Sequence, residues 1–211
     1  LIADSRATSK TSAELQAPGM LELLGDAFAA DIPDNPINDG YPVLAWQTTP
    51  HKVTLAINAG DGEVPEDLTV TVGGKVITKA ADGTYQTTLY VGNWTYTVSA
   101  FGYVTKAGVI AISNADGAIE RTVEPEKLPV VTVTFTGVDT SAITVTTEDE
   151  DHTVTEVDGT FQLPVGYVYT WTFASETYIA QTGTINLSAE TAAGTRTVPV
   201  QKEQKPTLKD G

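Results

Sequence analysis

Beyond residue 50 the chain alternates apolar and polar positions with a period of two. Val53-Thr54-Leu55-Ala56-Ile57, Leu68-Thr69-Val70-Thr71-Val72 and Val131-Thr132-Val133-Thr134-Phe135 all follow this rule. Trp94, Tyr96, Val98 and Ala100 share one face of a further run, as do Tyr167, Tyr169, Trp171 and Phe173. Such alternation sets one face on a core and leaves the other in water. The outer face is rich in threonine, which is β-branched and so suits a strand while staying polar. Asp82-Gly83 and Asp158-Gly159 stand between extended runs, and Gly73-Gly74 joins Val72 to Lys75. These pairs supply the positive φ of a tight hairpin turn.

The same pattern is written twice. Residues Val53–Lys127 align with Val131–Glu203. Ala81-Asp82-Gly83-Thr84-Tyr85-Gln86 matches Val157-Asp158-Gly159-Thr160-Phe161-Gln162, and Leu89-Tyr90-Val91-Gly92 matches Leu163-Pro164-Val165-Gly166. On this alignment Tyr96-Thr97 falls on Tyr169-Thr170, Tyr103 on Tyr178, and Gly108-Val109-Ile110 on Gly183-Thr184-Ile185. A repeat fixes architecture more firmly than any single element does. Each copy reads as about seven short strands with no helical stretch between them, which predicts an antiparallel sandwich. At roughly 75 residues a copy has little surface to bury. Trp94 and Trp171 are therefore read as core residues and not as ligand platforms. The fold class expected is all-β: two tandem seven-stranded antiparallel β-sandwiches with a short N-terminal helical segment. Residues 1–50 form a helical and extended cap, 51–127 the first module, 128–203 the second, and 204–211 a polar tail.

Residues 10–47 differ in character. Thr11-Ser12-Ala13-Glu14 is a capping-box pattern that opens a short helix, and Pro18-Gly19 interrupts it. Met20, Leu21, Leu23, Leu24, Ala27 and Phe28 then recur at helical spacing and predict one apolar face, expected to pack near the first sandwich. Asp31 to Asp39 reads as a loop, and Tyr41 to Gln47 as a short extended piece.

Composition removes several functions. The net charge is −15, which repels the phosphates of nucleic acid and anionic lipid headgroups. There is no cysteine, so disulfides, thiolate catalysis and cysteine-bound zinc are excluded. No run approaches the ~18 apolar residues of a membrane span, so no membrane insertion is expected. The chain starts Leu1-Ile2-Ala3-Asp4 and ends in the polar run Gln201 to Gly211, which reads as a piece of a longer protein.

The run Leu89-Tyr90-Val91-Gly92-Asn93-Trp94-Thr95-Tyr96-Thr97-Val98-Ser99-Ala100-Phe101-Gly102-Tyr103 resembles the carboxypeptidase regulatory-like and PEGA-type modules. That resemblance covers most of residues 51–203 and implies transthyretin-type or immunoglobulin-like sandwiches. The second copy keeps Leu163-Pro164-Val165-Gly166 and Tyr169-Thr170, then departs at Glu176-Thr177-Tyr178. The modules also resemble pilin-type domains with an internal Lys–Asn crosslink. That chemistry needs a lysine on the first strand, an asparagine on the last and a buried glutamate. Lys52 lies near the first strand, but Ile119–Val123 has no asparagine, Val130–Phe135 has no lysine, and Ser99 and Trp171 cannot replace the glutamate. Lys10-Thr11-Ser12-Ala13-Glu14-Leu15 and Asn38-Asp39-Gly40-Tyr41-Pro42-Val43-Leu44-Ala45-Trp46-Gln47 are similar to the stretch after GLUG repeats in bacterial surface proteins. This implies an upstream β-solenoid capped by the segment.

Candidate chemistry is sparse. Glu148-Asp149-Glu150-Asp151 offers carboxylates to calcium, but it lies between two strands where the first copy has Gly73-Gly74, and a solvated hairpin is the favoured reading. Asn114-Ala115-Asp116-Gly117 through Glu120 lacks the alternating ligands of a calcium loop and reads as a turn. His51 and His152 occupy non-equivalent places, which argues against a shared metal. Asn93-Trp94-Thr95 and Asn186-Leu187-Ser188 match the glycosylation sequon, to which no meaning attaches in a bacterial protein. No nucleophile elbow, phosphate loop or zinc-protease helix is present. No catalytic, cofactor-binding or metal-ligating residue is assigned, no cofactor is expected, and the chain is read as a monomeric non-enzyme. The expected role is a stalk or adhesin-type scaffold of an exported cell-surface protein, placed on a Gram-positive wall. The prolines of Glu124-Pro125-Glu126-Lys127-Leu128-Pro129 restrict the joint between modules. The alternative is recognition of a glycan or of a host or cell-wall protein, through loops or exposed aromatics such as Tyr90 and Tyr103.

Overall fold

The computed structural model describes residues 9–32, 37–60 and 62–206. The extreme N-terminal run Leu1–Asp4, the middle of the Asp31–Asp39 loop and the last part of the polar tail lie outside the described residues. The chain divides into two compact units, Leu1–Ser99 with Thr105–Glu124, and Ala100–Val104 with Pro125–Gly211.

The N-terminal segment opens with α1 (Ser12–Gln16) and α2 (Pro18–Leu24). Thr11 closes the capping box: its hydroxyl accepts from Glu14 N at 3.3 Å, and the Glu14 carboxylate accepts from Thr11 N at 2.8 Å. Pro18 does not break a helix here but starts one, at the first position, where its missing N–H costs nothing. Gly25, at φ 77, ends α2. The apolar stripe therefore stops short of Phe28, which lies on β1 (Phe28–Ala29), paired with β2 (Val43–Leu44). A 3-10 turn, Ala45–Thr48, follows where an extended piece was expected. No residue of either helix is buried, and Leu23 remains 74% exposed. The helix face itself stays open, since α2 takes α1 and β1 as its main neighbours, although the segment belongs to the same compact unit as the first sandwich and Ile32 lies beside Val72 and Trp94.

Unit 1 holds β3 (His51–Ile57), β4 (Thr69–Val72), β5 (Lys75–Val76), β6 (Tyr85–Leu89), β7 (Gly92–Ser99), β8 (Lys106–Ile112) and β9 (Ile119–Val123). They form one sheet in the order β6-β3-β9 and another in the order β5-β4-β7-β8. Val53, Leu55, Val70 and Ile110 are fully buried between them. Unit 2 holds β10 (Val130–Thr136), β11 (Ile143–Thr147), β12 (Thr153–Val154), β13 (Glu156–Val157), β14 (Thr160–Pro164), β15 (Val168–Phe173), β16 (Gln181–Asn186) and β17 (Gly194–Pro199). Its sheets run β13-β14-β10-β17 and β12-β11-β15-β16. The eighth strand is a difference of degree. Where β13 pairs Glu156 with Phe161, unit 1 has only the single bridge Lys79↔Tyr85.

Two features depart from expectation. First, the sandwiches are not wholly antiparallel: β3 pairs β9, and β10 pairs β17, in parallel. Alternation specifies faces and says nothing of strand direction, so the pattern could not reveal this. Second, the strand pairing places Tyr96 two residues further along the second copy than the sequence alignment does. Tyr85 opposes Leu55 as Phe161 opposes Val133, and Tyr96 opposes Gly108 as Trp171 opposes Gly183. Tyr96 is thus the counterpart of Trp171, and Trp94 of Tyr169. A slip of two residues keeps every side chain on its face, so hydrophobic patterning is blind to it.

Each aromatic lies flat over a glycine of the next strand. A Cβ on Gly108 would come within 2.7 Å of the Tyr96 ring, and one on Gly183 within 2.7 Å of the Trp171 indole. The glycine supplies the room that lets a large ring cover the sheet.

Candidate functional site

A recess in unit 1 lies beside Trp94, with a volume of about 200 Å³. The β4–β5 hairpin builds one wall, because Gly73 and Gly74 take φ 56 and 78 and turn the chain tightly. The Trp94 ring lies over Gly73, where a Cβ would approach it to 2.9 Å. Its Nε1 donates to the Tyr90 carbonyl at 2.8 Å, which fixes the indole plane. Lys75, Thr87 and Thr88 bring polar groups to the rim. Trp94 is half-buried, packed on the core yet facing the recess. The core reading thus holds fully for Trp171, which is 8% exposed, and only in part for Trp94.

Unit 2 fills the corresponding place. Tyr169 is 0% exposed, and its hydroxyl donates to the Pro164 carbonyl at 2.7 Å. Burial pushes that hydroxyl well above the ordinary tyrosine pKa. The ring therefore serves as packing and as a tether to the turn. Tyr90 and Tyr103, expected as exposed aromatics, are both half-buried. Tyr90 lines the recess, and Tyr103 bridges to Lys127 within unit 2.

The remaining candidates resolve into local structure. The acidic run closes the β11–β12 hairpin, with Thr147 N donating to the His152 carbonyl at 2.8 Å and Glu150 at φ 63. The Thr147 hydroxyl and the Asp151 N–H hold the Asp149 carboxyl below its ordinary pKa. Asp116 caps its own turn, accepting from Ser113 N at 2.6 Å and Ser113 Oγ at 2.8 Å. His51 is buried in unit 1, and its Nε2 has no hydrogen-bond partner. His152 lies in unit 2, its ring stacked on Phe101 at 4.4 Å. Lys52 sits on the exposed face of β3. Among the described residues no three His, Asp or Glu side chains converge as metal ligands, and no helix is long and apolar enough to cross a membrane.

One anchored carboxylate escaped the sequence reading. Asp31 accepts from the N–H groups of Ile32, Ile37, Asn38 and Gly40 at 2.8 to 3.0 Å. Partial desolvation raises its pKa, but these four donors outweigh it and hold the group below 3.8. The Asp-Ile-Pro-Asp-Asn-Pro composition was the available signal, since an aspartate ahead of such a loop commonly accepts from its backbone.

The closure of each sandwich sets how the chain passes through it. Because β9 runs parallel to β3, the chain enters unit 1's paired strands at one end and leaves at the other; β10 and β17 repeat this in unit 2.

No protein-family model matches the chain, and no curated protein sequence matches it. Among solved structures it is similar to the TIE protein of Bacillus anthracis at 19% identity and a TM-score of 0.32, covering 74% of this chain and 34% of that one. It is similar to a streptococcal ancillary pilin at 17% identity and a TM-score of 0.39, covering 76% and 64%. A shaft pilin of Lactobacillus rhamnosus GG matches at 10% identity and a TM-score of 0.30, covering 76% and 99%. The chain thus spans about a third of the TIE chain and under two thirds of the ancillary pilin.

Proposed function

We propose that this chain is a non-catalytic part of an exported bacterial surface protein, in which two sandwich modules serve as spacers. The supporting observation is the parallel first–last pairing in each unit. Antiparallel closure would return the chain to the pole where it entered. Parallel closure delivers it to the opposite pole, so each module adds the length of its strands to the path. At about 3.3 Å per residue, the seven residues of β10 span roughly 20 Å. Threonine-rich outer faces and a charge of −15 suit a surface kept free of adventitious contacts. The N-terminal segment, with Leu23 and Leu24 uncovered, fits the cap of an upstream repeat. The Gram-positive wall as the site of display belongs to the same reading.

The Trp94 recess favours a second reading, a glycan-binding module. A half-buried indole beside Thr87, Thr88 and Lys75 offers a ring surface with polar residues around it. Glycan arrays and immobilised wall and host proteins, probed with the purified chain, separate the two. The spacer reading predicts no saturable binding. Saturable glycan binding that disappears in Trp94→Ala would replace it with the second.

A further inference from the structure

We propose that each module is a force clamp, in which tension along the chain loads the parallel first–last strand pair in shear. In unit 1 the pair runs in register from Val53↔Ile119 to Ile57↔Val123, and in unit 2 from Val131↔Gly194 to Thr136↔Pro199. Tension enters at the start of the first strand and leaves at the end of the last. For parallel strands these points lie at opposite ends of the ladder, so its hydrogen bonds bear the load together. Pulled from one end, the same bonds would break one after another.

Among the sheet strands this load falls on one ladder. Beyond β17 the Ile179 N–H donates to the Glu203 carbonyl and the Lys205 N–H to the Thr177 carbonyl, bonds that attachment at residue 201 leaves out of the load path. β9 and β17 are edge strands, each hydrogen-bonded to the first strand of its unit and to no other. In unit 2 the side chains give little help, since Gly194 to Thr197 are all exposed. The backbone phase can be assigned. Val200 N donates to the Thr136 carbonyl at 2.9 Å, and parallel bonding alternates along a strand. The N–H groups of Val198 and Arg196 therefore face β10, and those of Thr195 and Thr197 face away. Pro199, which has no N–H, occupies one of the outward positions, where an edge strand tolerates it. In unit 1 Asn58 N donates to the Val123 carbonyl at 3.0 Å, which turns the Ile119, Arg121 and Val123 N–H groups toward β3.

The clamp rests on the spacer reading for its purpose, but its test does not. The chain has no cysteine, so introduced thiols give unique attachment points for single-molecule pulling on the full chain. Lys127→Cys with Gln201→Cys loads β10–β17 in shear, and Lys127→Cys with Gly194→Cys loads the same ladder from one end. We expect a several-fold higher unfolding force in the first geometry at equal loading rate. In that geometry Arg196→Pro should lower the force markedly, while Thr195→Pro and Arg196→Ala leave it nearly unchanged. Equal forces in the two geometries would overturn the clamp, as would a folded Arg196→Pro variant of undiminished strength. Should Arg196→Pro fail to fold, the two geometries alone decide. A chain that keeps the force asymmetry yet binds a ligand saturably refutes the spacer and leaves the clamp standing.

Discussion

The two units build one plan from different materials. Unit 1 packs valine, leucine and isoleucine around a single buried aromatic, Tyr85. Unit 2 buries Phe135, Phe161, Tyr169, Trp171 and Phe173 in the equivalent space. There Phe135 meets Phe161 edge-on at 5.5 Å and Trp171 at 5.4 Å, contacts that add to the area each ring removes from water. Aliphatic filling leaves the Trp94 side of unit 1 open as a recess, while Tyr169 closes its counterpart. The backbone plan thus constrains strand order and closure, and leaves the core and its margins free to diverge.

The largest break in that comparison comes from the aromatic cluster. Phe161→Ala should cost unit 2 about 3–5 kcal/mol, seen by calorimetry as a lowered transition for unit 2 with that of unit 1 unmoved. A shift of both transitions together would mean that the two cores are not independent. A smaller effect separates the two ring-over-glycine pairs. Gly183→Ala drives a methyl group into the Trp171 indole and should cost about 1–3 kcal/mol through overpacking. Gly108→Ala meets the narrower phenol of Tyr96, which can swing aside, so its cost should be lower; equal losses would contradict this difference in ring freedom. The smallest effect is confined to the N-terminal loop. Asp31 has a folded pKa below 3.8, so its contribution is complete above that value and fades as pH falls through the folded one. Amide exchange at Ile37, Asn38 and Gly40 should quicken on acidification below about pH 4, and at neutral pH in Asp31→Ala, with both sandwiches unchanged. Loop amides indifferent to both changes would show that the carboxylate does not hold the loop.

Strands, hairpin turns and the duplication were legible because each rests on local rules. Gly73-Gly74 and Asp158-Gly159 both adopt the positive φ their composition implies, and Thr11 and Glu14 form their reciprocal cap. What escaped were properties that local rules do not carry. The pairing of Tyr96 with Tyr169 in place of Trp171 was a two-residue slip, invisible to a period of two. The direction of β9 and β17 depends on how many times the chain reverses between the first strand and the last, by hairpin or by crossing between sheets. That Ala100–Val104 belongs to unit 2, although it joins two strands of unit 1, follows from tertiary contacts such as Phe101 on His152. The stripe from Met20 to Phe28 implied a buried helix face, yet Gly25 ended the helix before it could form one. For the Trp94 recess, the spacing of aromatics placed the ring on the inner face but could not tell that the sheet margin there stays open.

Parallel closure is the feature on which the spacer and the clamp both stand. Interstrand NOEs read its direction: contacts advancing together from Val131↔Gly194 to Thr136↔Pro199 are expected, and contacts running in opposite senses along the two strands would contradict it. Residue-resolved hydrogen exchange reads its phase. Along β17 the amides of Arg196 and Val198 should exchange slowly and those of Thr195 and Thr197 rapidly; along β9, Arg121 and Val123 should be slow and Glu120 and Thr122 fast. Uniform exchange along either strand, or alternation in the opposite phase, would contradict the pairing.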